Sequence, residues 1–259
     1  MPFNLCNLPP WVLSSVHYNR NPQPIELQGV RTVDRRLFAR LDQLDSPEER
    51  ALVFHDYVSV KFQLHRWAEE SSKAARLAIK NGYLRYLRGW GVDSCGMEGA
   101  VLKGWVESRM GLMPTFHRAA IRGPDDESYA AYLADRMNGS AKTNNVFSQF
   151  DLVYEFCQYE LARRRPGERH LTLYRGVHPD GTGDILAREG KRDLLVRMNN
   201  LVSFTFEAER AWEFGTTVWE VQVPVFKVFF FSGLFPTSLL RGEEEVLAVG
   251  GEYQVRVAS

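Results

Sequence analysis

The chain has 259 residues, of which 44% are hydrophobic, 12% aromatic and 25% charged, a usage that sustains a packed core and excludes disorder, collagen or coiled coil as descriptions of the whole. Lysine plus arginine and aspartate plus glutamate both number 32, so no net field draws the chain to nucleic acid or an anionic membrane. Cys6, Cys95 and Cys157 lie far apart and match no metal-ligand spacing, which argues against a disulfide framework or a zinc site and for a reducing, cytoplasmic home.

The opening Met1-Pro2-Phe3-Asn4-Leu5-Cys6 lacks the basic start of an export signal, and the most apolar stretch, 221–235, is short and carries Lys227, so no membrane span is expected. Ser46-Pro47-Glu48-Glu49 supplies an N-cap, a proline at the first helical position and an acid three residues after the cap. It opens a helix whose apolar set is Leu52, Val53, Tyr57, Val60 and Leu64. Further helices are predicted near 69–88, 95–110, 126–137 and 145–164, punctuated by Arg122-Gly123-Pro124-Asp125 and Asn138-Gly139-Ser140. Beyond Arg165-Pro166-Gly167 the texture changes to short runs of Val, Phe and Thr, and strands are predicted at 170–175, 194–204, 216–223, 225–231, 245–249 and 252–257. The reading is an α+β chain with a mainly helical region over 1–165 and a strand-rich region over 166–259. The first holds 22 basic and 19 acidic residues and the second 10 and 13, too even a division to name a partner.

Common enzyme signatures are missing. Gly181-Thr182-Gly183 begins like a dinucleotide loop, but Leu186 stands where the third glycine belongs. There is no phosphate-loop lysine motif, no HExxH and no GxSxG, and the six histidines are dispersed. Three polar features remain. Tyr174-Arg175-Gly176 ends an apolar strand; such an arginine is either a surface or ion-pairing residue or a paired-donor clamp for an anion. Ser203-Phe204-Thr205 puts two hydroxyls on one face of a strand, which is either a half-exposed sheet surface or a polar wall, and a short helix capped by Gly215 is predicted after it. Glu243-Glu244-Glu245-Val246-Leu247 is either a solvated charge run or, by alternation, a pair of carboxylates on one face with Glu244 turned away.

Together, in this order, the three resemble the arginine–serine–glutamate class of mono-ADP-ribosyltransferases over roughly residues 168–257, with Thr205 in place of the commoner second serine. Cys6-Asn7-Leu8-Pro9-Pro10-Trp11, Asn21-Pro22-Gln23-Pro24 and Gly29-Val30-Arg31 narrow the resemblance to the NAD-dependent dinitrogenase-reductase ADP-ribosyltransferases. The resemblance implies a helical N-terminal part, concerned with recognising acceptor and regulator, packed on a C-terminal split β-sheet core that binds NAD as the ADP-ribose donor. It implies transfer to a surface arginine of the nitrogenase iron protein, which switches nitrogen fixation off reversibly, and a PII signalling protein as activator.

It also implies roles. Arg175 anchors phosphate or ribose oxygens, Gly176 presents backbone groups to the nicotinamide amide, and Ser203 orients the catalytic acid beside the ribose. Thr205 completes that polar wall, and Phe214, with Trp212 second, places a ring against the nicotinamide. Glu245 stabilises the charge that develops on the ribose, and Glu243 holds the incoming guanidinium and helps to remove its proton. No metal is implied. The competing readings are a NAD glycohydrolase, a transferase for another arginine protein, and a non-catalytic binding module in which the helical part does the work.

Overall fold

Ser46 opens the first long helix as its sequence predicts: its Oγ accepts from the Glu49 N–H at 3.3 Å, and Pro47 stands in the first turn. The computed structural model describes residues 4–64, 82–141, 143, 145–178, 184–240 and 244–258. Among the described residues, short helical segments at Pro10–Leu13, Val16–Arg20, Val30–Val33 and Arg35–Leu41 precede five longer helices. These are α1 (Pro47–Lys61), α2 (Tyr83–Val92), α3 (Met97–Met110), α4 (Glu127–Ser140) and α5 (Val146–Arg164). Most of the helix expected over 69–88 lies outside the described residues; its remainder belongs to α2, which runs on to Val92.

The apolar face expected on α1 is turned part of the way: Val53, Tyr57 and Leu64 pack partly buried against the core. Ala51, Phe54 and Val58 are buried, whereas Leu52 and Val60 are 45% and 72% exposed. The facing helix decides this: Phe54 stacks on Phe156 of α5 with ring centroids 4.3 Å apart, and buried Arg50 forks onto Glu160, one turn further along α5, at 2.5 and 3.0 Å. Helix α4 likewise passes through Asn138-Gly139 to Ser140. A Cβ at 139 would stand 2.8 Å from the Met97 carbonyl oxygen, so this glycine is a point of close approach between α4 and α3 and not a stop signal.

Among the described residues, six strands form one antiparallel sheet: β1 (His170–Val177), β2 (Asp184–Arg188), β3 (Asp193–Thr205), β4 (Thr217–Pro224), β5 (Val228–Phe231) and β6 (Glu245–Val257), in the order β2-β3-β1-β4-β6-β5. An additional pairing joins β3 to β6 along nearly their whole lengths, from Asp193↔Arg256 to Thr205↔Glu245. The ladder therefore returns on itself: β1 pairs with β4, β4 with β6, β6 with β3, and β3 meets β1 at Tyr174↔Thr205. The strands predicted at 245–249 and 252–257 are one, because both lengths pair with the continuous β3. The run predicted at 225–231 divides into a 3₁₀ turn over Val225–Lys227 and β5.

Strand β2 is an addition to the predicted set; it lies antiparallel at the sheet edge, not in the parallel strand-helix-strand unit that a dinucleotide loop requires. Residues 181–183 lie outside the described residues.

Helix α5 packs on β5. Gln158 Nε2 donates to the Val228 carbonyl at 2.7 Å, Tyr154 Oη to the Phe226 carbonyl at 2.8 Å, and Trp105 of α3 meets Phe229 with centroids 4.7 Å apart. One apolar cluster includes Leu13 and Tyr18, Phe54 and Phe156, and Phe229, Val249 and Val255. Helices and sheet are thus two faces of a shared core, and α2 is held against the open end where β1, β3 and β6 meet.

Candidate active site

The register places the three sequence features together. Thr205 lies opposite both Tyr174 of β1 and Glu245 of β6, so Arg175, Ser203 and Glu245 come from adjoining strand ends. They line a cleft of about 770 Å³, whose opposite wall includes Leu87, Arg88, Trp90 and Gly91 of α2 and the following Asp93. That volume falls within the range of small-molecule and cofactor sites.

Arg175 is half-buried, and its Nη1 donates to the Ser203 carbonyl at 2.8 Å. This bond commits one of the five guanidinium N–H donors to aligning β1 with β3. Burial pushes the guanidinium down to about 10 against the opposing pull of Glu245, so it stays cationic at neutral pH. Ser203 and Glu245 are both half-buried. Between them stands a group that motif reading missed: Trp90 Nε1 donates to Ser203 Oγ at 2.8 Å and to Glu245 Oε1 at 3.1 Å.

Gly176 has a packing role of its own. A Cβ there would come within 2.0 Å of the Ala211 carbonyl oxygen, and one on Gly215 would meet the Val177 nitrogen at 2.2 Å. The two glycines let the Ala208–Ala211 helix and the Trp212–Phe214 3₁₀ turn close onto β1. Gly215 follows that turn with an extended backbone, φ −178°, so close approach and not a left-handed cap explains it. Phe214 reaches the cleft; Trp212, 45% exposed, is not among its lining residues. Thr205 lines the cleft while its Oγ1 accepts from the Glu207 N–H at 3.3 Å, tying the strand end to the following turn. Glu244 is exposed and also lines the cleft. Glu243 lies outside the described residues.

The cleft carries the cations of Arg88, Arg175 and Arg210 and the anions of Asp93, Glu244 and Glu245, with Arg210 paired to Glu213 at 2.7 Å. Guanidinium donors, a hydroxyl, a carboxylate and exposed rings in one cavity suit a ligand with anionic, sugar and aromatic parts, which is the chemistry of NAD. Among the described residues no group of three His, Cys, Asp or Glu side chains is placed to hold a metal ion, and no helix is long and apolar enough to cross a membrane.

A trace of the missed residue is present in the sequence. Gly89-Trp90-Gly91 places two glycines in α2, each costing about 1 kcal/mol relative to alanine in a helix interior. Gly89 accommodates the side chain of Glu98, and a Cβ at Gly91 would lie 3.9 Å from Glu245 Oε2.

Comparison with known proteins extends beyond the cleft. The description "dinitrogenase reductase ADP-ribosyltransferase" belongs to a family that matches residues 3–257. The NAD(+)–dinitrogen-reductase ADP-D-ribosyltransferase of Rhodospirillum rubrum is 40% identical, over 98% of this chain and 94% of its own length. No solved structure matches the chain significantly. With its arginine, serine and glutamate gathered in one cleft and a match running almost end to end, the chain belongs to the dinitrogenase reductase ADP-ribosyltransferase family.

Proposed function

We propose that the chain carries out the reaction for which its family is named, moving ADP-ribose from NAD to dinitrogenase reductase, with a surface arginine as acceptor. The observation that carries this reading is the convergence of Arg175, Ser203 and Glu245 on one cleft, from motifs separated along the chain. The closed antiparallel sheet is read as a mono-ADP-ribosyltransferase-like core over 166–259, and the region 1–165 as the source of acceptor and regulator recognition.

Arg175 holds phosphate or ribose oxygens through its paired donors, as an ammonium at the same place would not. Ser203 orients Glu245 and helps to seat the ribose, Gly176 offers backbone groups to the nicotinamide amide, and Thr205 and Phe214 complete the polar and aromatic walls. Glu245 keeps its negative charge against the ribose while the glycosidic bond breaks, stabilising the positive charge that develops there. In the transfer, the C–N bond to nicotinamide breaks, nicotinamide leaves with the electron pair, and an acceptor guanidinium nitrogen bonds to the same ribose carbon. Glu243 receives the proton that the acceptor gives up; a free guanidinium holds that proton far above neutral pH, so the nucleophile needs a local base. A cytoplasmic setting, a PII protein as activator and reversible arrest of nitrogen fixation complete the proposal.

The deciding experiment incubates the chain with NAD and purified dinitrogenase reductase and examines the products by mass spectrometry. A single ADP-ribose on one arginine is expected. Nicotinamide release with unmodified acceptor would make the chain a NAD glycohydrolase, and absence of both NAD binding and release would leave a non-catalytic module.

A further inference from the structure

An indole N–H donates and never accepts, and it does not titrate in water. In Trp90 that donor is directed at two acceptors at once, Ser203 Oγ at 2.8 Å and Glu245 Oε1 at 3.1 Å. The ring is buried, 4% exposed. Lys103 Nζ lies 5.8 Å from the ring centroid, itself buried and held by the Phe116 carbonyl at 3.0 Å. The indole is thus constrained by α3 as well as by its own helix, so its donor has little freedom to swing away. On the cleft side a Cβ at Gly91 would lie 3.9 Å from Glu245 Oε2.

We propose that Trp90 is a positioning residue for the transfer reaction, supplied to the strand-borne site by the helical region: its one N–H sets the rotamer of Glu245 and turns the Ser203 hydroxyl. Because Ser203 Oγ accepts from the indole, the hydroxyl hydrogen points elsewhere and can be donated to a ligand or to the neighbouring carboxylate. Because Glu245 Oε1 accepts from a neutral donor, the carboxylate is oriented without its charge being cancelled, and that charge is what the departing nicotinamide requires. A lysine or arginine at this place would orient the carboxylate equally well and neutralise it. The inference rests on the proposed role of Glu245.

The test replaces Trp90 with benzothienylalanine, in which sulfur takes the place of the N–H and the ring shape is kept, alongside Trp90→Phe and Glu245→Gln. NAD affinity is read by calorimetry and nicotinamide release by single-turnover kinetics. With the benzothienyl ring, NAD affinity and thermal midpoint should stay within about twofold and 2 °C of wild type, while the chemical rate falls about 10- to 100-fold, the scale of one hydrogen bond to a charged group. Trp90→Phe should show the same division between affinity and rate. A chemical rate within twofold of wild type overturns the proposal. Equal loss of NAD affinity and rate also overturns it, making Trp90 part of the binding wall only. Full activity in Glu245→Gln would instead sink the assignment of the glutamate, whatever Trp90 does.

Discussion

Arg175 joins two strands and faces the cleft at once. Its bond to the Ser203 carbonyl ties β1 to β3 while the guanidinium lines the cleft. Arg175→Lys removes the planar fork, and burial that already lowers the guanidinium to about 10 would lower an ammonium too. The expected outcome is a folded protein whose NAD dissociation constant, measured by calorimetry, rises at least tenfold, the scale of about 1.4 kcal/mol for one lost charge-assisted contact. Wild-type affinity would remove the anchor role. The roles proposed for the two glutamates separate the halves of the reaction. Glu245→Gln should lose nicotinamide release and arginine transfer together by on the order of a hundredfold. Glu243→Gln should lose transfer to a similar extent while NAD binding and slow hydrolysis persist, because water needs no guanidinium site. Parallel assays of free nicotinamide and ADP-ribosylated acceptor distinguish them; equal and small effects would reduce the acid run to a solvated strand entry.

At the scale of elements, the Val225–Lys227 turn is stitched to β6 by a lysine with no exposed surface. Lys227 Nζ donates to the Gly250 carbonyl at 3.0 Å and lies 4.7 Å from the ring centroid of Tyr253. Desolvation holds the amine well below the ordinary lysine range. The unfolded chain binds a proton there below about pH 10.4 while the native chain resists it, so stability rises with pH between the depressed native value and about 10.4. Lys227→Met should abolish that part of the slope. In urea titrations the variant should be at least as stable as wild type at pH 6, and less stable near pH 10 by about 1 kcal/mol, the cost of leaving the Gly250 carbonyl without its donor. A constant difference between the two proteins across this range would show that the amine stays charged in the native state.

For the molecule as a whole, one apolar cluster takes in side chains from Leu13 to Val255, so the strand region shares its core with the helices. Phe229 packs against Phe150 and Trp105, and Gln158 satisfies the Val228 carbonyl. A fragment of residues 166–259 would expose these surfaces and lack Trp90. It is expected to aggregate or to show no cooperative thermal transition by circular dichroism, whereas the full chain unfolds cooperatively. A fragment that melts cooperatively as a monomer would make the strand region an independent domain, with the helical region as an attached regulator.

The sequence by itself determined the α+β composition, the helix opening at Ser46, the positions of α3 and α5, and the placing of Arg175, Ser203 and Glu245 on strands. Each depends on residues within one or two turns or one strand, where capping, alternation and side-chain chemistry act locally. Tertiary structure decided which face of α1 is buried, since Phe54 and Arg50 answer to Phe156 and Glu160 on another helix. It also merged the last two strands on β3 and carried α4 through Gly139. Above all it decided that a tryptophan 113 and 155 positions from its partners completes the serine–glutamate pair. Capping and alternation act within a single element; which face of a helix is covered, and which atom meets it from a distant element, is set only when the chain packs.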